Sequence, residues 1–588
     1  MFFIYCLLLW GLVYFLPILA WMPTLVCHPR VAFAIPILSV FVIYLLSSLL
    51  IAIGFFNAFS VTSVAVILGS VALIRLSRVV VRKPFYWTKQ TLFVYGFHVL
   101  LLFPFFIKLA TNAFDRGDEI YSWNFWALQH YFQEPIDFSH TGAPYPQLFP
   151  KLLAFCYHLL GNWDLQLPVK GALIVFPFAL LNAIGMTLGR LTPAYLFLLF
   201  FVLFGVGLSH FFNDGYADPI MTSSLIVSAA LYWQSRQSVP ISSSVAAMSV
   251  MSAITCAHAK QPGLLWALFS LPLFLWFSYR QSSEKTYLWL MLLCIGGGLS
   301  WLVGEGSQFY HNEGVLILSW ADRDLWVQLA YSVNKYFFQQ PLLFLLILLA
   351  ILTSRKEILL RQMVIFFIIP SLLLWFLFGS YQLRLGQHLI AFAFLIITAG
   401  KEALPSTLQR KWWWQPLPSK AVLAVSLGLS VSIAGIMFVR EVGLSKKGVS
   451  LYAGGRQSLQ RYFDKDADFV YATIYSDPNQ LLWVPSRYLY GLFYKHTQLT
   501  TPDYLRYAIY NEAALIDEFK RKHPNYVFTV NQNYVDGSAS LCLANVLKLC
   551  PSAFQKVTEA NNKYGFTTYK VNNSILQEDP CLQKLAQR

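Results

Sequence analysis

Carboxylate side chains are concentrated in one polar segment of an otherwise apolar chain, residues 113–168. Asp115, Asp118 and Glu119 stand close together there, with Arg116 among them. A carboxylate can act as a general base that takes a proton from a hydroxyl or an amine. Asp115 and Asp118 also offer the oxygen ligands that Mg²⁺ or Mn²⁺ prefer, but Arg116 between them repels a cation. We expect catalysis by Asp118, with Glu119 beside it, and no cofactor; a metal site on Asp115 and Asp118 stays the alternative.

The acidic residues precede a run of aromatic residues at helical spacing, 120–132. Such a run predicts an amphipathic helix lying at the bilayer interface. The helix would hold Asp118 and Glu119 at its N-terminus, at the depth of the lipid headgroups. In a purely structural interpretation, Asp118 caps this helix and pairs with Arg116.

Candidate substrate-binding residues are spread along the chain. They are Arg116, Tyr145, Lys151, Asp218, Lys260, Arg384 and His388. Cations stabilise a phosphate that leaves during group transfer, and a guanidinium such as that of Arg384 binds phosphate bidentately. Structural interpretations compete: Asp218 caps a helix, Lys260 snorkels to the headgroups, and Arg384 and His388 pair with aspartates of the 305–340 loop.

Membrane-spanning helices must position these residues. Hydrophobic residues make up 57% of the 588-residue chain and charged residues only 12%, about half the charged share usual in soluble proteins. Apolar runs long enough to cross a hydrocarbon core of ~30 Å as helices follow one another almost to residue 440 and indicate about 14 spans. Their ranges are 3–25, 33–56, 60–77, 91–112, 169–188, 193–212, 218–234, 243–258, 263–279, 286–304, 341–354, 362–379, 386–400 and 419–439. The predicted fold class is an α-helical polytopic membrane protein.

The charges predict how the helices are oriented. Lys and Arg fall in alternate connections, which the positive-inside rule places in the cytoplasm, so the net charge of +15 is largely a topology signal. Most acids of residues 1–440 fall on the opposite side. Because ionisable groups at membrane depth are kept mainly for function, the outer face is the expected working face. We expect a bacterial inner-membrane protein whose active site faces the periplasm.

The tail, residues 441–588, has about twice the charged fraction of the rest and predicts a soluble domain on the same outer side. Strand patterns at 468–475 and 526–530 and a helix at 511–522 indicate an α/β fold. In that domain, Cys542 and Cys550 form a disulfide across a short loop with Cys581 left over, or all three are free thiols.

The order of these features resembles that of the GT-C glycosyltransferases. A transmembrane helix, the Asp118-Glu119 pair, an aromatic helix and the Pro-x-Leu stretch at 146–151 are similar to the protein O-mannosyltransferases and to the bacterial aminoarabinose transferases that modify lipid A. Weaker similarities lie at 214–219, 260–264 and 384–388. The resemblance implies that Asp118 is the base.

It also implies a domain organisation. Residues 91–440 would form a GT-C-like transmembrane core that contains the acidic outer loop, and residues 1–90 would add three N-terminal helices.

The sequence therefore predicts a hexosyl- or pentosyltransferase. It would move a sugar from a polyprenyl-phosphate donor to a lipid, glycan or protein acceptor on the outer face, without a nucleic-acid partner. One alternative is an O-antigen ligase or polymerase type of enzyme that uses Arg384 and His388. The other is a polyprenyl-linked glycan flippase or transporter, which would need charged residues in mid-span.

Overall fold

The computed structural model describes most of the helical region and part of the tail. The described residues are 2–111, 114, 119–136, 145–213, 215–237, 243–281, 284–301, 325–334, 341–376, 386–401, 424, 428, 432, 480–484, 498–500, 511–529, 538–559 and 567–578.

Within the described residues, five helices are long and apolar enough to cross a membrane. They are α1 (Phe2–Leu19), α2 (Ile35–Ala52), α3 (Ala58–Arg82), α4 (Lys89–Ala110) and, further along the chain, α7 (Gln166–Leu188). Two shorter helices lie between α4 and α7, α5 (Asn124–Tyr131) and α6 (Leu148–Leu160), and a π-helical turn, Glu119–Trp123, leads into α5.

Nine more described helices follow α7 in the chain before the tail. They are α8 (Pro193–Gly205), α9 (Asp218–Gln237), α10 (Ser243–Ala259), α11 (Gln261–Gln281), α12 (Glu284–Trp301), α13 (Leu325–Val333), α14 (Pro341–Ser354), α15 (Ile358–Leu374) and α16 (Gln387–Ala399). Each predicted span overlaps a described helix except 419–439, which lies almost wholly outside the described residues. The predicted class, a helical membrane protein, is confirmed.

Local sequence explains where several helices begin. The side chain of Asn57 accepts a hydrogen bond from the backbone N–H of Ser60 and caps α3. Thr88 and Thr91 exchange side-chain and backbone hydrogen bonds as a capping box at the start of α4. These bonds satisfy backbone donors that a helix N-terminus otherwise leaves open.

One hydrophobic cluster runs through the described helical region. It takes in Cys6 and Leu9 of α1, continues through α2, and reaches Ile397 of α16. In particular, α2 contacts both α6 and α10. The predicted N-terminal addition therefore shares its core with the helices that follow.

The segment between α4 and α7 differs from the predicted interfacial helix in an outer loop. A helix does cover the aromatic run, but every side chain from Ser122 to His130 is buried in protein. The interfacial placement was wrong, because an aromatic face packs equally well against lipid and against other helices. The same segment also holds α6, whose 13 residues are too short to span a bilayer and whose apolar side chains are mostly buried.

Gly263 allows α10 and α11 to meet closely. A Cβ atom at this position would lie 2.0 Å from the backbone oxygen of Cys256. We expect Gly263→Ala to destabilise the protein by about 1–3 kcal/mol or more, because the backbone must move to relieve the clash. Gly298→Ala is the matched control, since a Cβ there meets no atom within 4 Å. Thermal unfolding in detergent checks both; equal unfolding temperatures would contradict the prediction.

The tail contains a small α/β fold with its own hydrophobic cluster. Its strands are β1 (Leu481–Trp483), β2 (Gln498–Thr500), β3 (Tyr526–Thr529), β4 (Phe554–Glu559) and β5 (Thr567–Val571), and its helices are α17 (Glu512–Lys522), α18 (Ser538–Leu549) and α19 (Asn573–Glu578). The strand order is β2-β1-β3-β5-β4. β1 is parallel to β2 and β3, whereas the other pairs are antiparallel.

The predicted helix and the second predicted strand of this domain are confirmed by α17 and β3. Asn511 caps α17 through a hydrogen bond from the backbone N–H of Ala514. The strand predicted at 468–475 lies outside the described residues.

Both interpretations of these cysteines, a bond between Cys542 and Cys550 and three free thiols, are wrong. Cys542 is a free thiol, whereas Cys550 is disulfide-bonded. Cys542 lies within α18 and Cys550 directly follows its end, so the helical rise separates their Cα atoms by about 12 Å, well beyond the reach of a disulfide. The partner of Cys550 lies outside the described residues, because all other described cysteines are free.

Candidate functional site

A buried ion pair anchors the start of the acidic segment. Glu119 Oε2 lies 2.8 Å from Lys170 Nζ in α7, and both side chains are almost fully buried. The other carboxylate oxygen, Oε1, accepts a hydrogen bond from the backbone N–H of Gly215, just before α9. Glu119 therefore ties together three segments that are distant in sequence. Asp115, Arg116 and Asp118, which immediately precede it, lie outside the described residues.

A second buried ion pair joins α9 to the turn between α10 and α11. Lys260 Nζ lies 2.7 Å from Asp218 Oδ1 and 2.9 Å from Oδ2. Asp218 is the first residue of α9. Lys260 is buried, and its ammonium binds this carboxylate inside the protein. The Lys260 ammonium also lies 5.9 Å from the ring centroid of Tyr145.

Tyr145 connects this lysine to the acidic segment. Its ring centroid lies 5.2 Å from that of Trp123 and 6.1 Å from that of Trp126. Both tryptophans are fully buried and follow Glu119 closely in the chain. Tyr145 therefore lies close to both the Asp218–Lys260 pair and the segment that begins at Glu119.

Lys151 of α6 forms the third part of the site. Its ammonium donates a hydrogen bond to Ser48 Oγ at 3.2 Å and lies 5.0 Å from the ring centroid of Tyr44. The Tyr44 hydroxyl lies 3.0 Å from Nδ1 of His258, two residues before Lys260. His258 is a hydrogen-bonded packing residue. These contacts connect Lys151 through Tyr44 to α10, the helix that Lys260 directly follows.

His130 of α5 lies buried close to Lys151. Its Nε2 is 3.3 Å from Oε1 of Gln147. Burial, followed by the positive charge of Lys151, lowers the pKa of His130 from 6.5 to about 3, against the opposing effect of the Gln147 hydrogen bond. The imidazole is therefore neutral at physiological pH.

This low pKa predicts a loss of stability in acid. The folded state keeps His130 neutral down to about pH 3, whereas the unfolded chain binds a proton below about pH 6.5. The contribution of His130 to folding stability is therefore fully present above pH 6.5 and falls by about 1.4 kcal/mol for each pH unit between about pH 6.5 and pH 3. We expect His130→Gln to lack this component. Unfolding of both proteins measured between about pH 7 and pH 5 checks it; parallel profiles would refute the assignment.

The other sequence-predicted residues lie elsewhere or outside the described structure. His388 is the second residue of α16 and is buried, with its ring centroid 6.2 Å from that of Phe367. Arg384 lies outside the described residues. Within the described part of the chain, no three His, Cys, Asp or Glu side chains form a group that could hold a metal ion; Asp115 and Asp118 fall outside that part.

Lys170, Tyr44, Ser48 and His130 were not among the sequence-predicted site residues. Only Lys170 carries a signal that could have revealed it, because it is an ionisable residue within an apolar run. Tyr44 and Ser48 are ordinary residues of an apolar helix, and only the folded chain brings them to Lys151.

Comparison with solved structures gives a likeness, whereas comparison with sequences does not. No protein-family model and no curated protein matches the chain. The chain is similar to the crystal structure of ArnT from Cupriavidus metallidurans bound to undecaprenyl phosphate, with 12% identity and a TM-score of 0.44. The match covers 81% of this chain and 97% of that one. At this identity and TM-score the likeness does not establish an activity, which has to be inferred from the residues themselves.

Proposed function

We propose that this chain is a membrane glycosyltransferase that moves a sugar from a polyprenyl-phosphate donor to an acceptor on the periplasmic face of the bacterial inner membrane. The observation that carries the proposal is the clustering of Lys151 and Lys260 around the segment that follows Asp118. Each ammonium lies against a tyrosine ring, and Tyr145 links Lys260 directly to Trp123. Cations beside a carboxylate suit a transfer in which an acceptor loses a proton and a phosphate leaves.

In the proposed reaction, each of these side chains has one role. Asp118 takes the proton of the acceptor hydroxyl or amine, and the acceptor atom forms a bond to the anomeric carbon. The bond from that carbon to the phosphate oxygen breaks, and its electron pair stays on the polyprenyl phosphate. Lys151 and Lys260 stabilise this anion, together with Arg116 and Arg384. Glu119, proposed from the sequence as a catalytic neighbour, holds the segment in place through Lys170 and Gly215.

Lys151 and Lys260 also make transfer independent of a divalent metal in this proposal, because ammonium groups supply the charge that stabilises the leaving phosphate. We expect activity in purified protein to survive chelation with EDTA within about twofold, a barrier change of only about 0.4 kcal/mol. A loss of activity that Mg²⁺ or Mn²⁺ restores would instead favour a metal site on Asp115 and Asp118.

Reconstituted full-length protein provides the test of function. Proteoliposomes would be supplied with polyprenyl-phosphate donors that carry labelled sugars and with lipid, glycan and peptide acceptors. A covalent product labelled from the donor is the expected result. Translocation of the donor without a product would identify a flippase. Transfer that needs Arg384 and His388 but not Asp118 would identify the ligase or polymerase type of enzyme.

A further inference from the structure

The N-terminal helix α2 contributes two side chains to the candidate site. Tyr44 and Ser48 are four residues apart, so they lie on the same face of the helix. Both contact one ammonium group: Lys151 Nζ lies 3.2 Å from Ser48 Oγ and 5.0 Å from the Tyr44 ring centroid. A residue more than a hundred positions away in the chain is therefore held by α2.

Tyr44 is itself held from its other side. Its ring centroid lies 4.8 Å from that of His258, and its hydroxyl is hydrogen-bonded to His258 Nδ1. Because His258 precedes Lys260 by two residues, one tyrosine connects the helix of Lys151 with the end of the helix that leads to Lys260. Tyr44 is only 4% exposed and His258 is fully buried, so this connection lies inside the protein.

The contacts of Lys151 with Tyr44 and Ser48 restrict a side chain that is otherwise flexible. A lysine ammonium sits on a flexible four-carbon stem with many rotamers. The face of an aromatic ring attracts the ammonium, and a hydroxyl oxygen accepts one of its N–H bonds. Together they restrict Lys151 before a ligand arrives, so less side-chain entropy is lost when an anion binds.

We propose that Tyr44 and Ser48 are positioning residues that aim Lys151 at the phosphate of the polyprenyl-phosphate ligand. The identity of this ligand rests on the proposed function. In this proposal, α2 belongs to the substrate site as well as to the packed core. The helices of residues 1–90 are then not separable from the helices that follow.

Binding of a polyprenyl monophosphate to the purified full-length protein tests the proposal without requiring sugar transfer. We expect Tyr44→Leu to weaken binding about tenfold, as loss of a partly buried cation–π contact implies. Tyr44→Phe keeps the ring and should recover most of the affinity. Phe41→Leu is the matched control, because Phe41 is a buried aromatic residue on the same helix, one turn earlier, and should bind as the wild type does. Equal weakening by Phe41→Leu and Tyr44→Leu would overturn the proposal.

A double variant separates positioning from general damage. If Tyr44 acts through Lys151, Tyr44→Leu should add no further loss in a Lys151→Met background. Losses that multiply would overturn the proposal, because a merely structural change weakens both backgrounds equally. Failure of the proposed function has a different signature. In that case the wild type binds the lipid phosphate and the coupling persists, but no donor gives a covalent product.

Discussion

Replacement of Asp118 by Asn is expected to reduce sugar transfer by about 10²- to 10⁴-fold, the usual contribution of a general base. The amide keeps the size of the carboxylate but cannot take the acceptor's proton. Donor binding should change little, because the lysines proposed to bind the phosphate are untouched; the loss should therefore appear in kcat with little change in KM. Initial rates in proteoliposomes at saturating donor check this.

Two variants of the same segment make the result specific. Glu134→Gln removes an acid that belongs to no part of the proposed site and should transfer sugar at the wild-type rate. Asp115→Asn separates the two interpretations of the acidic segment, because only a metal site requires both aspartates. If Asp118→Asn is folded and transfers sugar at the wild-type rate, Asp118 is not the base.

The second large effect is expected in the buried pair of Glu119 and Lys170. Their side chains are 0% and 1% exposed. Lys170→Met should leave a buried carboxylate without its counter-charge and lower the free energy of unfolding by about 3–5 kcal/mol. Glu119→Gln should also be destabilising, because it removes the carboxylate that neutralises the buried Lys170 ammonium. The double variant should recover most of the loss, since it leaves no uncompensated charge.

Chemical or thermal unfolding in detergent measures this cycle. Lys356→Met is the control: this exposed lysine should change stability by no more than about 0.5 kcal/mol. If the losses of the two single variants simply add in the double variant, the pair does not couple these segments. Activity should fall along with stability, because the same pair anchors the segment that Asp118 precedes.

Features set by local composition could be predicted from the sequence. The apolar runs predicted nearly every described helix of the membrane region. The length and hydrophobicity of a run can be read from that segment alone, without knowing what it packs against. The helix over Glu512–Lys522 was predictable for a similar reason. Its start signal, Asn511, and its amphipathic pattern lie within about a dozen residues of each other.

Features set by pairing over long distances could not be predicted in the same way. The aromatic spacing of residues 120–132 indicates a helix that buries its side chains, but not whether lipid or protein buries them. Lys170 and Glu119 are 51 residues apart and Lys260 and Asp218 are 42 apart, and no local pattern records which acid meets which base. Cys542 and Cys550 are close in sequence, but the helix between them holds them too far apart to bond.

The two buried ion pairs also constrain how the chain is made. In each pair the acid is synthesised first and the lysine follows, by 51 residues for Glu119 and by 42 for Asp218. A lysine that enters the bilayer alone is costly to insert, by about 2.5–3.5 kcal/mol at a helix centre. Here each lysine leaves the ribosome when its carboxylate has already been made. The carboxylate of each pair is therefore already present when its lysine is synthesised, and the later segment supplies the counter-charge. Neither ion pair can form before its lysine has been synthesised.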